Sequence, residues 1–471
     1  MQESMNRRLV LKFGGTSVAD ADAIGRLIRI VRTEVDGGGQ PVVVVSAMSG
    51  VTDRLFAMAA AAVRGERADV MQQLDDLRTR HEDAARALMP ESGRHAVIEA
   101  LAAHIDELRA VLTAVAILQE ASPRSLDGLA AAGELMSSRI VAAAFAEAGV
   151  PSVWIDPRRV VITNASHTCA APSLDAIRIA AAQHIAPHLE AGRAAVIGGY
   201  VGATEDGITT TLGRGGSDYS AALIGAALDC REIQIWTDVD GMLTADPRVV
   251  ADPRVVPALS FGEASELAYF GAKVLHPSTI LPAVEQDIPV RILNSRRPES
   301  PGTRITANAP AARTLAALAC KRRITVIEVT STRMLMAHGF LRKLFEVFER
   351  HQTSVDVVTT SEVSVSVTVD DDRHLAPIVE ALREFADVSV ERDMALLCAV
   401  GDGLRSDPAL SVRLLASLEG FPLRMVSQAA SRRNLTVVLN ERDLPRAMTR
   451  LHDQWFVAPA GGPRDPMSVS A

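Results

Sequence analysis

Apolar positions in the first part of the chain fall into short unbroken runs, each ending in glycine, serine, threonine or aspartate. Four consecutive valines, Val42–Val45, stop at Ser46. Ala194–Ile197 runs into Gly198-Gly199, Ile233–Trp236 into Thr237-Asp238, and Leu9–Leu11 into Lys12-Phe13-Gly14-Gly15-Thr16-Ser17. An apolar run without alternation is the pattern of a strand covered on both faces. Helical periodicities lie between these runs. From about Asp53 to Gln119 the chain is rich in Ala, Leu and Arg and has no strand signal, which predicts a helical insertion. Strands alternating with helices predict an α/β fold with a mostly parallel central sheet. Ligands of such sheets gather at the carboxyl ends of the strands, where the glycines and hydroxyls lie.

The pattern changes after a Pro-, Gly-, Thr- and Asn-rich stretch at Pro298–Ala311. A strand is predicted at Ile324–Val329, a helix at Gly339–His351, and strands at Ser354–Val358 and Val363–Val369. The order recurs as Ala395–Val400, a helix near Ala409–Leu418, Leu423–Ser427 and Leu435–Leu439. An offset of roughly seventy residues points to two copies of a small α+β module. The predicted division is residues 1–310, then 311–392, then 393–457, with 458–471 a disordered tail.

At 471 residues the chain is too long for one core. Aromatic residues are only 4%, so the cores must be aliphatic. A net charge of −8 and a pI near 5.8 argue against nucleic-acid binding. The four cysteines are far apart and form no CxxC pair, so neither a disulfide framework nor a zinc site is indicated, and no residue is assigned as a metal ligand. The polar N-terminus lacks a signal core, and no run reaches the roughly 20 apolar residues that span a bilayer. A cytoplasmic protein with no membrane partner is expected.

Lysine is rare here. It occupies positions 12, 273, 321 and 343, and arginine supplies the rest of the 49 basic residues. An ammonium is a compact point charge and a guanidinium a flat fork. Two of the four lysines nevertheless sit in glycine-containing segments, Lys12 in the first strand turn and Lys273 in Gly271-Ala272-Lys273-Val274-Leu275-His276-Pro277. A second glycine-rich turn, Thr211-Leu212-Gly213-Arg214-Gly215-Gly216-Ser217-Asp218, opens an Ala/Leu helix, whose N-terminus suits an anion. Arg214 can grip a carboxylate with two parallel bonds. Ser46–Thr52 and Thr237-Asp238-Val239-Asp240-Gly241-Met242 are further strand-end turns. Singly, each is a common loop; together they make a polyphosphate site in one α/β domain. Neither GxxxxGK[ST] nor GxGxxG is present, which removes the main support for P-loop and Rossmann readings.

As a set, these motifs resemble aspartate kinase, of the amino-acid kinase superfamily, from about Leu9 to Phe456. The resemblance implies an amino-acid-kinase sandwich followed by two ferredoxin-like ACT modules, the second inserted within the first, and no dehydrogenase domain. It implies transfer of the γ-phosphoryl group of ATP, with Mg²⁺, to the β-carboxylate of L-aspartate. Lys12 and Asp218 would be catalytic. Ser46, Thr52, Glu134, Arg214 and Ser217 would bind aspartate, with Arg214 on its α-carboxylate and Glu134 on its α-ammonium. Gly14, Gly15, Gly216, Thr237, Asp238, Asp240, Met242, Arg248 and Lys273 would join Lys12 around the nucleotide. Arg248 belongs to the first of two Asp-Pro-Arg-Val-Val copies. Met334, Gly339, Leu341, Ser354, Val355, Asp356, Thr360, Ser361 and Glu362 resemble the lysine-sensitive type of effector site. A homo-oligomer paired through the ACT modules, inhibited by lysine, threonine or both, is therefore expected. The rival readings are a sister kinase with another acceptor, and a non-catalytic amino-acid sensor. The intact Lys12, Arg214 and Asp218 argue against the sensor.

Overall fold

The computed structural model describes residues 7–271, 277–308, 315–331, 338–428 and 432–457. The chain forms two compact units, Met1–Met242 with Val274–Ala307, and Leu243–Lys273 with Asn308–Ala471.

In chain order the first unit holds β1 (Arg8–Phe13), α1 (Ala21–Asp36), β2 (Gln40–Val45), α2 (Val51–Val63), α3 (Arg67–Leu88), α4 (Glu91–Leu118), α5 (Pro123–Glu147), β3 (Ser152–Ile155), α6 (Leu174–His184), α7 (Ala186–Glu190), β4 (Ala194–Gly198), β5 (Val201–Ala203), β6 (Thr209–Thr211), α8 (Gly216–Ala227) and β7 (Ile233–Thr237). The chain then enters the second unit for β8 (Ala258–Ser260) and α9 (Phe261–Tyr269), and returns for α10 (Leu281–Glu285), β9 (Val290–Asn294) and β10 (Thr303–Thr306). The main sheet runs β3-β4-β2-β1-β7-β9-β10 across this unit. All of these pairings are parallel except β9 with β10.

β-Branched runs and burial on both faces explain the parallel strands. Leu9–Phe13, Val42–Val45 and Ala194–Gly198 are all buried. The predicted insertion is helical, as α2, α3 and α4. With α5 these helices bury Leu55, Leu74, Leu101 and Phe145 in a core continuous with Leu9, Leu11, Val43 and Val45. α5 is long and apolar enough by composition to cross a bilayer, but 78% of its apolar window is buried inside this unit, as in a core helix.

The second unit continues with β11 (Ala317–Thr330), α11 (Phe340–Arg350), β12 (Val358–Thr360), β13 (Ser364–Val369), α12 (Leu375–Arg383), β14 (Asp387–Val400), α13 (Gly403–Ser406), α14 (Pro408–Ser417), β15 (Leu423–Gln428), β16 (Asn434–Asn440) and α15 (Leu444–His452). Its sheet runs β12-β13-β11-β14-β16-β15. β11 and β14 are long strands shared between the two modules. Ile324 to Thr330 pairs with Met394 back to Asp387, whereas Ala317–Lys321 pairs with Val400 back to Leu396. The nesting is thus the reverse of the predicted one. The first module lies inside the second, which recruits Ala317–Lys321 as its outlying strand. A strand predicted at Ser354–Val358 falls instead at Val358–Thr360, because Thr368 occupies the preceding segment. The Asp356 N–H donates to Thr368 O and the Val357 N–H to Thr368 Oγ1.

Residues 243–273, predicted to belong with the kinase, pack into this second unit. Ser260 and Glu263 cap α9 reciprocally, and Glu263 also accepts from the Asp402 N–H at 2.9 Å. Asn434 donates to Glu266 at 2.6 Å, and Thr244 bonds His452 at 2.9 Å. Ala245 and Val250 join the aliphatic core around Leu318, Leu397 and Val437.

Candidate active site

The parallel registers bring the carboxyl ends of β1, β2, β4, β7 and β9 to one edge of the first unit. Lys12 pairs in register with Val44 and Ile235, and Val45 with Gly198. The turns that follow close a ring of contacts. Lys12 Nζ lies 2.6 Å from Asp218 Oδ1. Ser217, beside Asp218, packs on Gly199 so closely that a Cβ there would stand 2.7 Å from its own. Gly198 in turn backs onto Glu134, whose carbonyl a Cβ would meet at 3.1 Å. The carboxylate of Glu134 accepts the Ala47 N–H, and the Ala47 carbonyl sits 3.1 Å from where Gly15 would carry a Cβ. Gly14 returns the ring to the ammonium of Lys12, 3.7 Å away by the same measure. The glycines let backbone from four turns converge where side chains would collide.

Glu134 is the electrostatic anomaly of the ring. It is 3% exposed and its Oε2 has no hydrogen-bond partner. Burial pushes its carboxyl up to about 8, against the pull of the Ala47 and Glu134 N–H groups. α5 delivers it because Gly133 lets the helix press onto the turn after β2, with a Cβ there 2.8 Å from Ala47 Cβ; Ser137 fixes the same contact by donating to Ser46 O at 2.7 Å. A buried carboxylate oxygen without a donor is a receptor for a cation. Arg214, exposed, makes no hydrogen bond or ion pair among the described residues, so its fork is free. It projects from a turn that needs left-handed backbone at Gly213 (φ 78°) and Gly215 (φ 71°), directly before α8. Ser46 and Thr52 are half-buried at the β2 turn and α2 start.

A brace under the Arg214 turn has no counterpart in the sequence reading. Asp127 of α5 is fully buried. It accepts Thr211 Oγ1 at 2.5 Å and the Thr168 N–H at 3.0 Å, and pairs with His167 at 2.6 Å. Thr168 is held in the left-handed region (φ 70°), costly for a β-branched residue, and its carbonyl backs Gly213. Tyr200 is held likewise (φ 65°), its N–H donating to Ser220 of α8 at 2.9 Å. The available signal was an acid just ahead of the small apolar run Leu129–Ala132.

On the β7 and β9 side, Thr237 Oγ1 bonds Asp238, which is exposed. Asp240 accepts Asn294 at 2.7 Å and pairs with Arg297. Met242 is buried and its N–H donates to Thr303 Oγ1. Ser17 of the first motif bonds Ser295 at 2.8 Å, just past the ends of β1 and β9. Arg248 falls in the second unit, paired with Asp246 at 2.6 Å. Lys273 lies outside the described residues, and so does Met334.

In the second unit, Gly339 caps α11 with left-handed backbone (φ 84°), and Leu341 is 41% exposed. Ser354, Thr360, Ser361 and Glu362 are exposed around β12, and Val355 is half-buried. Ser361 closes the turn after β12, accepting from the Ser364 N–H at 3.1 Å. Asp356 differs from these neighbours: its side chain is 5% exposed and bound to Lys321 Nζ at 2.7 Å.

A mostly parallel sheet with a lysine, paired acids and glycine turns at one edge defines a phosphoryl-transfer fold. Residues 7–294 match the amino acid kinase family and residues 397–455 match the ACT domain; the chain belongs to the amino acid kinase family. It is 37% identical over 468 residues to the lysine-sensitive aspartokinase 3 of Escherichia coli (strain K12), a match covering 96% of this chain and 100% of that protein. The structure of E. coli aspartokinase III with lysine and aspartate (T-state) is similar at a TM-score of 0.82 and 36% identity, over 96% of this chain and 100% of that one. The same enzyme with aspartate and ADP (R-state) gives 0.79 and 36%, over 94% and 99%.

Proposed function

We propose that this chain is an aspartate kinase, moving the γ-phosphoryl group of ATP to the β-carboxylate of L-aspartate under feedback from an end-product amino acid, lysine. The observation that carries the reading is the ring itself. One arc offers an ammonium pinned on an acid, Lys12 on Asp218, and the opposite arc a buried acid short of one donor, Glu134. An amino acid whose α-ammonium meets Glu134 and whose α-carboxylate meets Arg214 fits that pair of charges. The relatives' complexes with aspartate, ADP and lysine support the same assignment.

The nucleophile is a carboxylate, ionised near pH 7 without help, so the site needs no general base. A carboxylate oxygen attacks γ-phosphorus, the bond to the β,γ-bridging oxygen breaks, and ADP departs with that electron pair. The work is to hold two anions together and neutralise the charge spreading over the transferred group. Lys12 supplies the neutralising charge at the γ-phosphoryl, and Asp218 fixes its position. The N–H groups of Gly14 and Gly216 are held by Trp236 O and Gly213 O, so these glycines give the nucleotide close approach rather than donors, while the Gly15 N–H with Ser46, Ser217 and Thr52 adds short donors. Thr237, Asp238 and Asp240 take the nucleoside side. No group of three His, Cys, Asp or Glu suited to a metal occurs among the described residues. We assign Mg²⁺ to the Mg–ATP substrate, held chiefly by phosphate oxygens.

The second unit carries the effector site, around Met334, Gly339, Leu341, Asp356 and Glu362, and the chain pairs with its own copy through the ACT modules. Apolar side chains left exposed on α11 support that pairing. The test is incubation with Mg–ATP, L-aspartate and hydroxylamine, which traps the acyl phosphate as aspartyl hydroxamate. Hydroxamate that requires aspartate and falls with added lysine is expected. A folded, ATP-binding protein that makes none points to another acceptor or to the sensor.

A further inference from the structure

Lys321 is a lysine in a chain that has almost none, and it lies outside the active site. Its Nζ stands 2.7 Å from Asp356 Oδ1 and 3.2 Å from Asp370 Oδ2, and 4.7 Å above the ring of Tyr269. Tyr269 Oη also donates to Asp356 Oδ1, at 3.4 Å. The second oxygen of Asp356, Oδ2, is buried and has no hydrogen-bond partner. Asp356 is therefore a carboxylate with one oxygen taken by a primary ammonium and the other oxygen waiting for a donor. That ammonium is chemically the same group a free lysine would bring.

We propose that Lys321 is an internal stand-in for the effector's ammonium, and that lysine binds by displacing it from Asp356. This rests on the reading of Asp356 as part of the effector site. A pair closed in the resting protein reduces the fraction of molecules ready to bind, and the apparent dissociation constant rises by the inverse of that fraction. Asp370 and the face of Tyr269 give the displaced ammonium somewhere to stay: an exposed carboxylate and a π-surface. Lys321 thereby sets the effector concentration at which the protein responds, without touching the effector's carboxylate.

The test is calorimetric titration of the full-length protein with L-lysine. Lys321→Met, which empties the acid, is expected to lower the dissociation constant on the order of tenfold, while Lys321→Arg keeps it at or above the parent value. Asp370→Asn leaves the ammonium to Asp356 alone and is expected to weaken binding. An unchanged or larger dissociation constant in folded Lys321→Met overturns the proposal and leaves the effector reading standing. Where that variant does not fold, unchanged or tighter binding in Asp370→Asn overturns it equally. Absence of lysine binding in the parent and all three variants overturns the effector reading, and this proposal with it.

Discussion

The chemistry of this chain turns on two ionisable side chains whose surroundings differ sharply. Lys12 is buried but paired, and Glu134 is buried with one oxygen unpaired. Replacing Lys12 by Arg keeps the charge but swaps a point for a fork that the Gly14-Gly15 turn does not accommodate. We expect kcat to fall about 10²- to 10³-fold, measured by hydroxamate formation, as for loss of one transition-state donor. Glu134 carries a pH prediction. Its free-enzyme carboxyl lies near 8, and only the ionised form attracts the aspartate ammonium, so kcat/KM for aspartate should rise with pH up to about 8. Glu134→Gln should be low and flat. Stability runs the other way: the folded value is raised, so the folded state holds a proton that the unfolded state has released. Its stabilising contribution is complete below the ordinary carboxylate range and is lost as pH rises to about 8. Melting curves should show the parent losing stability relative to Glu134→Gln across that window, and parallel curves would refute the shift. Lys12, Glu134 and Arg214 were legible in the sequence because each lies in a motif of special composition. Lys321 was passed over, although the scarcity that marked Lys12 marks it too.

At the scale of elements, short apolar runs revealed strands and their ends, and the region from Asp53 to Gln119 is helical, as its composition indicated. Ladder partners were not legible, since pairing joins residues far apart in sequence. Nothing in Ala317–Lys321 by itself announces that it pairs with Leu396–Val400 rather than extending the module that follows. The brace on Asp127 was hidden for the same reason, because its three partners come from Thr211 and a separate loop at His167 and Thr168. That brace holds a strained backbone against the Arg214 turn. Asp127→Asn keeps the volume but loses the charge-assisted bonds, each worth roughly 1.5–3 kcal/mol. We expect KM for aspartate to rise about tenfold or more while the ATP constant stays within twofold. A matched loss in both constants would mean general unfolding of the unit rather than a slackened aspartate grip.

At the scale of the whole molecule, the chain passes between its two units at Met242–Leu243, Lys273–Val274 and Ala307–Asn308. The sequence suggested the last of these through its Pro- and Gly-rich stretch. The first two left no compositional mark, because the polar contacts that draw residues 243–273 to the second unit, such as Glu263 with Asp402, are not local. Surface apolarity then bears on assembly. α11 buries Leu344, Val347 and Phe348, yet Leu341 is 41% and Phe345 38% exposed, four residues apart along the edge of the same apolar face. An apolar edge left facing water is unfavourable unless another surface covers it. The expected cover is the same helix of a second copy, since a two-fold pairing lets one patch bury itself. The parent protein should therefore run by light scattering at a multiple of its 50.2 kDa chain mass. Phe345→Arg, which sets a charge on that exposed edge, should lower that multiple. A parent that runs as a single chain at micromolar concentration would sink the pairing.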